Sequence, residues 1–172
     1  MKRAIINDVP GDGSCLFHSI AYPLKSPKFT GIQLRDITSK IIEKHSDSLL
    51  HGISLKNWIE WESGDFVHQY VRKLRNGMWG GALEMTILAS LLNIHFFVYS
   101  PIINLKTNLK QCKRVLEVKP DKEFLKNSVK RPNVILNNSN SLSNLNSVNA
   151  FHENKICLLW VNQSHYMHLQ LL

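Results

Sequence analysis

The chain has little of what holds small secreted or metal-bound folds together. Its 172 residues include three cysteines, Cys15, Cys112 and Cys157, with no CxxC pair and no Cys/His group at finger spacing. Neither a disulfide framework nor a structural zinc site is expected. Long apolar runs are missing too. Only Ala4, Ile5 and Ile6 precede Asn7 and Asp8, well below the roughly 7 to 15 apolar residues of a signal peptide. The longest apolar stretch, Ile87 to Tyr99, is broken by Ser90, Asn93 and His95 and falls short of the ~20 residues that span a bilayer. These absences point to a soluble chain with no membrane partner in a reducing, cytoplasmic setting, where a free thiol persists.

Acidic residues are also scarce, 13 against 21 lysines and arginines, which leaves a net charge of +8. Such an excess raises nucleic acid as a partner. The cations are scattered, however, with a modest cluster from Lys106 to Arg131, and no RNP, KH or finger signature accompanies them. A solvated basic face is the better account, and nucleic acid is not expected to bind. The hydrophobic share of 44% and charged share of 20% belong to a globular chain. The length suits one domain spanning 1–172.

Helical signals come early in the chain. Thr30 followed by Gln33 has the capping-box form, and Leu34, Ile37 and Ile41 recur behind it at helical spacing. Ser63 with Asp65 opens a second pattern carrying Phe66, Tyr70 and Leu74, closed by Arg72, Lys73 and Arg75 near the negative end of the dipole. A third follows Gly80-Gly81, with Leu83, Ile87, Leu88 and Leu91 on a segment so poor in charge that it predicts a buried helix. Short apolar or alternating runs then take over: Ile94–Tyr99, Val115–Val118, Val134–Leu136, Ile156–Val161 and His165–Leu172. The order predicts an α+β fold with a small, mostly antiparallel sheet flanked by helices. The Asn/Ser-rich tract 137–149 reads as a mobile surface loop.

Chemistry concentrates at two places. Gly11-Asp12-Gly13-Ser14-Cys15 runs into Leu16-Phe17-His18-Ser19, so a glycine-bearing turn feeds a helix with Cys15 in its first turn. Unpaired N–H groups and the helix dipole favour a thiolate there, and the same amides suit an oxyanion. Against this stands a small buried hydrophobe, the usual state of a cysteine at such a place. A cysteine nucleophile needs a base, and eight histidines compete. His165 stands out at the start of the last strand, after the polar turn Asn162-Gln163-Ser164. His18 reads as packing or substrate-facing; His45, His51, His68 and His152 as surface residues; and His95 as a strand histidine. His165 and His168 fall on opposite strand faces, which argues against a metal pair.

The stretch Asp12-Gly13-Ser14-Cys15-Leu16-Phe17-His18-Ser19 resembles the nucleophile motif of the OTU (ovarian tumour) cysteine proteases. Trp79-Gly80-Gly81-Ala82-Leu83-Glu84 with Ile94–Tyr99 resembles that family's central helix and strand. Ile156–Trp160 with Ser164-His165-Tyr166 resembles its final strands and histidine. The resemblance implies a papain-like fold and a deubiquitinase that removes ubiquitin, or a ubiquitin-like modifier such as the interferon-induced one cleaved by some viral members. It implies Cys15 as nucleophile, His165 as general base, Asp12 as shaper of the oxyanion loop, and Gly13 and Ser14 as parts of that loop. Trp79, Gly80 and Gly81 would support the site without doing chemistry. No cofactor and no metal are implied, and a monomer is expected. The compactness and the abundance of Asn, Lys and Ile suit a viral or bacterial effector, which would place the protein in a host cytoplasm.

One position departs from the family pattern. Many members carry Asp or Asn two residues after the histidine, where this chain has Met167. Strand residues i and i+2 share a face, so a polar side chain there can fix the imidazole tautomer. A thioether is a weak acceptor and serves poorly. Asn162 is the preferred substitute, with Asp8, Asn7 or a backbone carbonyl as alternatives. The loss of the usual orienter also supports a second possibility, a catalytically weak ubiquitin-binding module on the same fold.

Overall fold

Local signals start the elements, and burial completes them. The structure, a computed structural model, describes residues 4–25, 29–104, 109–128, 155–162 and 164–172. The expected strand Val134–Leu136, the tract 137–149 and His152 lie outside the described residues. Helix α1 (Cys15–Leu24) starts at the cysteine itself and ends at Lys25, which takes a left-handed conformation. Helix α2 (Gly31–Lys44) is capped reciprocally: Gln33 N–H donates to Thr30 Oγ1 at 3.3 Å, and Gln33 Oε1 accepts from Thr30 N–H at 2.9 Å.

The second expected helix starts later than Ser63, and a helix that was not expected precedes it. Helix α3 (Leu55–Ser63) is capped by the Ser54 hydroxyl and closed by left-handed Gly64, and α4 (Val67–Arg75) begins after it. Ser63 therefore ends one helix instead of opening the next. Phe66 sits outside α4 as its N-cap, exposed, while Tyr70 and Leu74 are buried as their spacing predicts. Helix α5 (Ala82–Leu92) has buried residues on nearly every side, among them Leu83, Met85, Ile87, Leu88 and Ala89. That agrees with its poverty of charge, Glu84 being its one ionisable residue.

Five strands form one sheet in the order β1-β7-β6-β4-β5. They are β1 (Ala4–Asn7), β4 (His95–Asn104), β5 (Leu109–Val118), β6 (Lys155–Val161) and β7 (His165–Leu171). Among the described residues only the β4–β6 pair is parallel, so the sheet is mostly antiparallel. A two-stranded ribbon, β2 (Leu49–Leu50) with β3 (Ile53–Ser54), and a short helix α6 (Lys122–Ser128) complete the described elements. The hairpin β4–β5 is longer than its apolar runs, because β4 continues through Pro101. The β4–β6 pairing covers His95 to Tyr99 only. At Pro101 the strand pairs with β5 alone, where a missing N–H costs no ladder bond on the open side.

Phe96, Val98, Ile156 and Leu158 alternate to the sheet face that joins one buried cluster with Leu16, Phe17 and Ile20 of α1 and Leu83, Ile87 and Leu88 of α5. The fit is closest at Gly80. A Cβ there would stand 2.8 Å from Leu16 Cδ2 and 3.0 Å from the Phe17 ring. Gly80→Ala should therefore destabilise the protein by about 1–3 kcal/mol through overpacking. Gly11 has nothing within 4 Å of such a Cβ and no positive φ, so Gly11→Ala should stay within about 0.5 kcal/mol. Urea unfolding of the two variants checks the contrast.

Candidate active site

The loop before α1 is held at both ends of one peptide unit. Ser14 N–H donates to Asp12 Oδ1 at 2.9 Å, and Gly13 C=O accepts from Arg35 Nη2 at 2.5 Å. A trans peptide is planar, with its N–H and C=O opposed, so these two bonds fix the plane of the Gly13–Ser14 unit. Gly13 has φ +83°, and a Cβ on it would come within 2.6 Å of the Gly77 carbonyl oxygen. Glycine alone satisfies both conditions. Ser14 is the N-cap of α1, but its hydroxyl turns away from the helix and accepts from Arg35 Nε at 3.2 Å. Cys15 follows as the first helical residue, buried at 5% exposure. Its amide and the next two have no intrahelical acceptor and lie at the positive end of the dipole.

Asp12 does not act alone. Its Oδ2 faces His18 Nε2 at 3.0 Å, and that contact, more than the Ser14 amide, holds its carboxyl below the ordinary carboxylate range. His18 is pressed from behind by α2, where a Cβ on Gly31 would overlap its Nδ1. It is a packed partner of the loop.

Arg35 escaped sequence reasoning. It lies on α2 beside the Leu34–Ile37–Ile41 stripe, and nothing local distinguishes a buried arginine from an exposed one. In the fold it is 6% exposed, with its guanidinium 4.7 Å from the Phe17 ring centroid. Besides Gly13 and Ser14 it donates to the carbonyls of Leu74 and Met78, the latter at 2.7 Å. Burial pushes its pKa down, and the charges of Asp12, Glu84 and Cys15 push back.

His165 is the first residue of β7, and its Nε2 lies 3.3 Å from Asp8 Oδ1. Asp8 follows β1, whose last residue, Asn7, is in register with His168. Asn7 Nδ2 donates to His168 Nδ1 at 3.1 Å, and Tyr22 O–H donates to Asn7 Oδ1 at 3.1 Å. The Tyr22 and His168 rings stack at 5.0 Å. A chain of polar contacts thus ties β1, β7 and α1 together one residue from Asp8. Asn162 is exposed in the β6–β7 turn with φ +52°, while the His165 ring meets Asp8. Met167 is half-buried opposite Leu159. Tyr166, next to His165, has its phenol pKa raised chiefly by burial.

The fold around these residues finds its counterpart among known proteins. The sequence model of the OTU-like cysteine proteases matches residues 10–134. The chain belongs to the OTU family. It is 32% identical over 99 residues to the ubiquitin thioesterase otu2 of Schizosaccharomyces pombe, a match covering 54% of this chain and 31% of the relative. The chain thus spans about a third of that relative's length. Among solved structures it resembles the viral OTU domain protease of Farallon virus, with TM-score 0.58, 18% identity and coverage of 100% and 89% of the two chains. It also resembles an OTU deubiquitinase from Wolbachia pipientis wMel solved with bound ubiquitin, with TM-score 0.56, 13% identity and coverage of 96% and 94%. The α+β fold is that of the OTU domains.

In this OTU chain the Trp79-Gly80-Gly81 stretch lies under α1. Gly80 packs on Leu16 and Phe17, Trp79 is exposed, and Gly81 N–H donates to Glu84 Oε2 at 2.7 Å. The other Glu84 oxygen accepts from Tyr70 O–H at 2.7 Å, so a carboxylate only 1% exposed is satisfied on both sides. Burial and this carboxylate raise the Tyr70 pKa well above the ordinary phenol value. Among the described residues no three His, Cys, Asp or Glu side chains group to hold a metal, and no helix is long and apolar enough to cross a membrane.

His168 gives a pH prediction. Burial pushes its pKa below the ordinary 6.5, and its Nδ1 must stay unprotonated to accept from Asn7. The unfolded chain therefore takes up this proton before the folded one, so the stabilisation is complete above about pH 6.5 and is lost as pH falls below it. The melting temperature should drop between pH 7 and pH 5, and the drop should be shallower in His168→Asn. Equal slopes in the two proteins would show that His168 does not carry the effect.

Proposed function

We propose that the protein is a thiol-dependent hydrolase that removes ubiquitin, or a ubiquitin-like modifier, from conjugated proteins. One observation carries this most directly. Cys15 opens α1 behind a loop whose peptide plane is held by Asp12, while the sheet delivers His165 with a carboxylate on its Nε2. The family membership, and a relative named as a ubiquitin thioesterase, support the choice of substrate.

In the proposed cycle the Cys15 thiolate attacks the carbonyl carbon of the modifier's C-terminal glycine. The resulting oxyanion is held by the Cys15 N–H and neighbouring amides of the loop. Collapse breaks the C–N bond, His165 gives its proton to the leaving amine, and water activated by the same imidazole hydrolyses the thioester. Asp12, Gly13 and Ser14 keep the loop in shape. Asp8 orients His165 in place of the missing polar residue at Met167. It does so from solvent, since its side chain is 78% exposed, so the contact directs the ring and adds little stability. The cycle uses no cofactor and no second copy of the chain. A reactive thiol suits a reducing compartment, and we place the enzyme in the cytoplasm.

Intact-mass labelling with ubiquitin bearing a C-terminal electrophile tests this, beside the same probe built on the interferon-induced modifier. Wild type should form one covalent adduct, and Cys15→Ala none. A folded wild type that binds modifier without an adduct would favour the binding module instead. With a fluorogenic ubiquitin amide, His165→Ala should abolish turnover. Asp8→Ala should lower kcat by about 10-fold or more through loss of ring orientation, whereas Asn162→Ala should change it little. The reverse order would return the orienting role to Asn162.

A further inference from the structure

Resting on the hydrolase function above, we propose that Arg35 is a positioning residue for the oxyanion loop, setting the direction of the amides that meet the developing negative charge. The argument begins with its acceptors. Among the described residues, Arg35 donates to one hydroxyl, Ser14 Oγ, and to three carbonyls, of Gly13, Leu74 and Met78. These belong to two backbone segments that approach each other without help from sequence neighbourhood: the nucleophile loop, and the turn between α4 and α5. The close approach of Gly13 to the Gly77 carbonyl oxygen marks their contact. Arg35 clasps both sides of that contact.

The choice of carbonyls matters. A guanidinium that served only to neutralise charge would take a carboxylate, and Asp12 and Glu84 are near enough for their fields to act on Arg35. Asp12 is instead used on the Ser14 amide and on His18, and Glu84 on Gly81 and Tyr70. With Gly13 C=O drawn toward Arg35, the Gly13–Ser14 peptide cannot rotate its oxygen toward the head of α1, where it would repel an oxyanion. The planar fork holds several acceptors at fixed angles, which a lysine ammonium on a flexible stem does not. Stacking on Phe17, itself fully buried, locks the fork in place.

A residue acting this way affects the transition state more than substrate binding. In Arg35→Lys, kcat on the ubiquitin amide should fall about 10- to 100-fold, as for a loosened oxyanion site, with KM within about twofold. Alkylation of Cys15 by iodoacetamide forms no oxyanion, so its rate should stay close to wild type. Unchanged kcat in folded Arg35→Lys, a rise in KM alone, or an equal loss of alkylation rate would each overturn the proposal. If Arg35→Lys does not fold, Ser14→Ala removes the Nε contact only, and it should still lower kcat at constant KM; unchanged kcat there overturns it. Should wild type turn over no ubiquitin substrate, the hydrolase function falls separately. Amide exchange at Ser14 then decides the role of Arg35: faster exchange in Arg35→Lys supports it and unchanged exchange overturns it.

Discussion

A single guanidinium taken out of water constrains how the loop before Cys15, α2 and the α4–α5 turn can be arranged. Arg35 cannot shed its charge to escape burial, so it needs acceptors in several directions at once, and Gly13, Ser14, Leu74 and Met78 supply them. Each such bond to a charged donor contributes about 1.5–3 kcal/mol. The carbonyls would in turn be stranded if the arginine were removed. The desolvation that lowers its pKa is thereby offset by contacts that also shape the loop before Cys15. Stability and active-site geometry rest here on the same side chain.

Three carboxylates near the site show how environment assigns work to chemically similar groups. Glu84 is sealed inside and satisfied by Tyr70 and the Gly81 amide, where it caps α5 and seats the glycine pair beneath α1. Asp12 is half in solvent and divides its two oxygens between a backbone amide and His18. Asp8 stands in water with one oxygen toward His165. The buried one satisfies two donors of the core, the intermediate one holds a loop amide and a histidine ring, and the exposed one meets the Val9 amide and the His165 ring.

Much of the framework was legible because its signals act over a few residues. The Thr30–Gln33 cap, the charge-poor α5 and the glycine-bearing turn before Cys15 each declare themselves within one or two helical turns. Where signals overlapped, the sequence pattern misled. Phe66 fits the helical spacing of Tyr70 and Leu74, yet left-handed Gly64 separates α3 from α4 and leaves Phe66 outside. Pro101 looks like the end of a strand, and becomes tolerable only because β4 has lost its β6 neighbour by that point.

The sequence alone was enough for the Thr30 cap of α2, the buried character of α5, the α+β class and the placing of Cys15 at a helix N-terminus, since caps, periodicity and φ preferences depend on neighbours at most about four residues away. The tertiary structure was needed to bury Arg35, to bring Asp8 to His165 and to pair Ala4–Asn7 with β7 at the edge of the sheet. Each of these joins groups far apart in the chain. Which acceptor reaches which donor is then set by strand register and helix packing, and no local spacing records it.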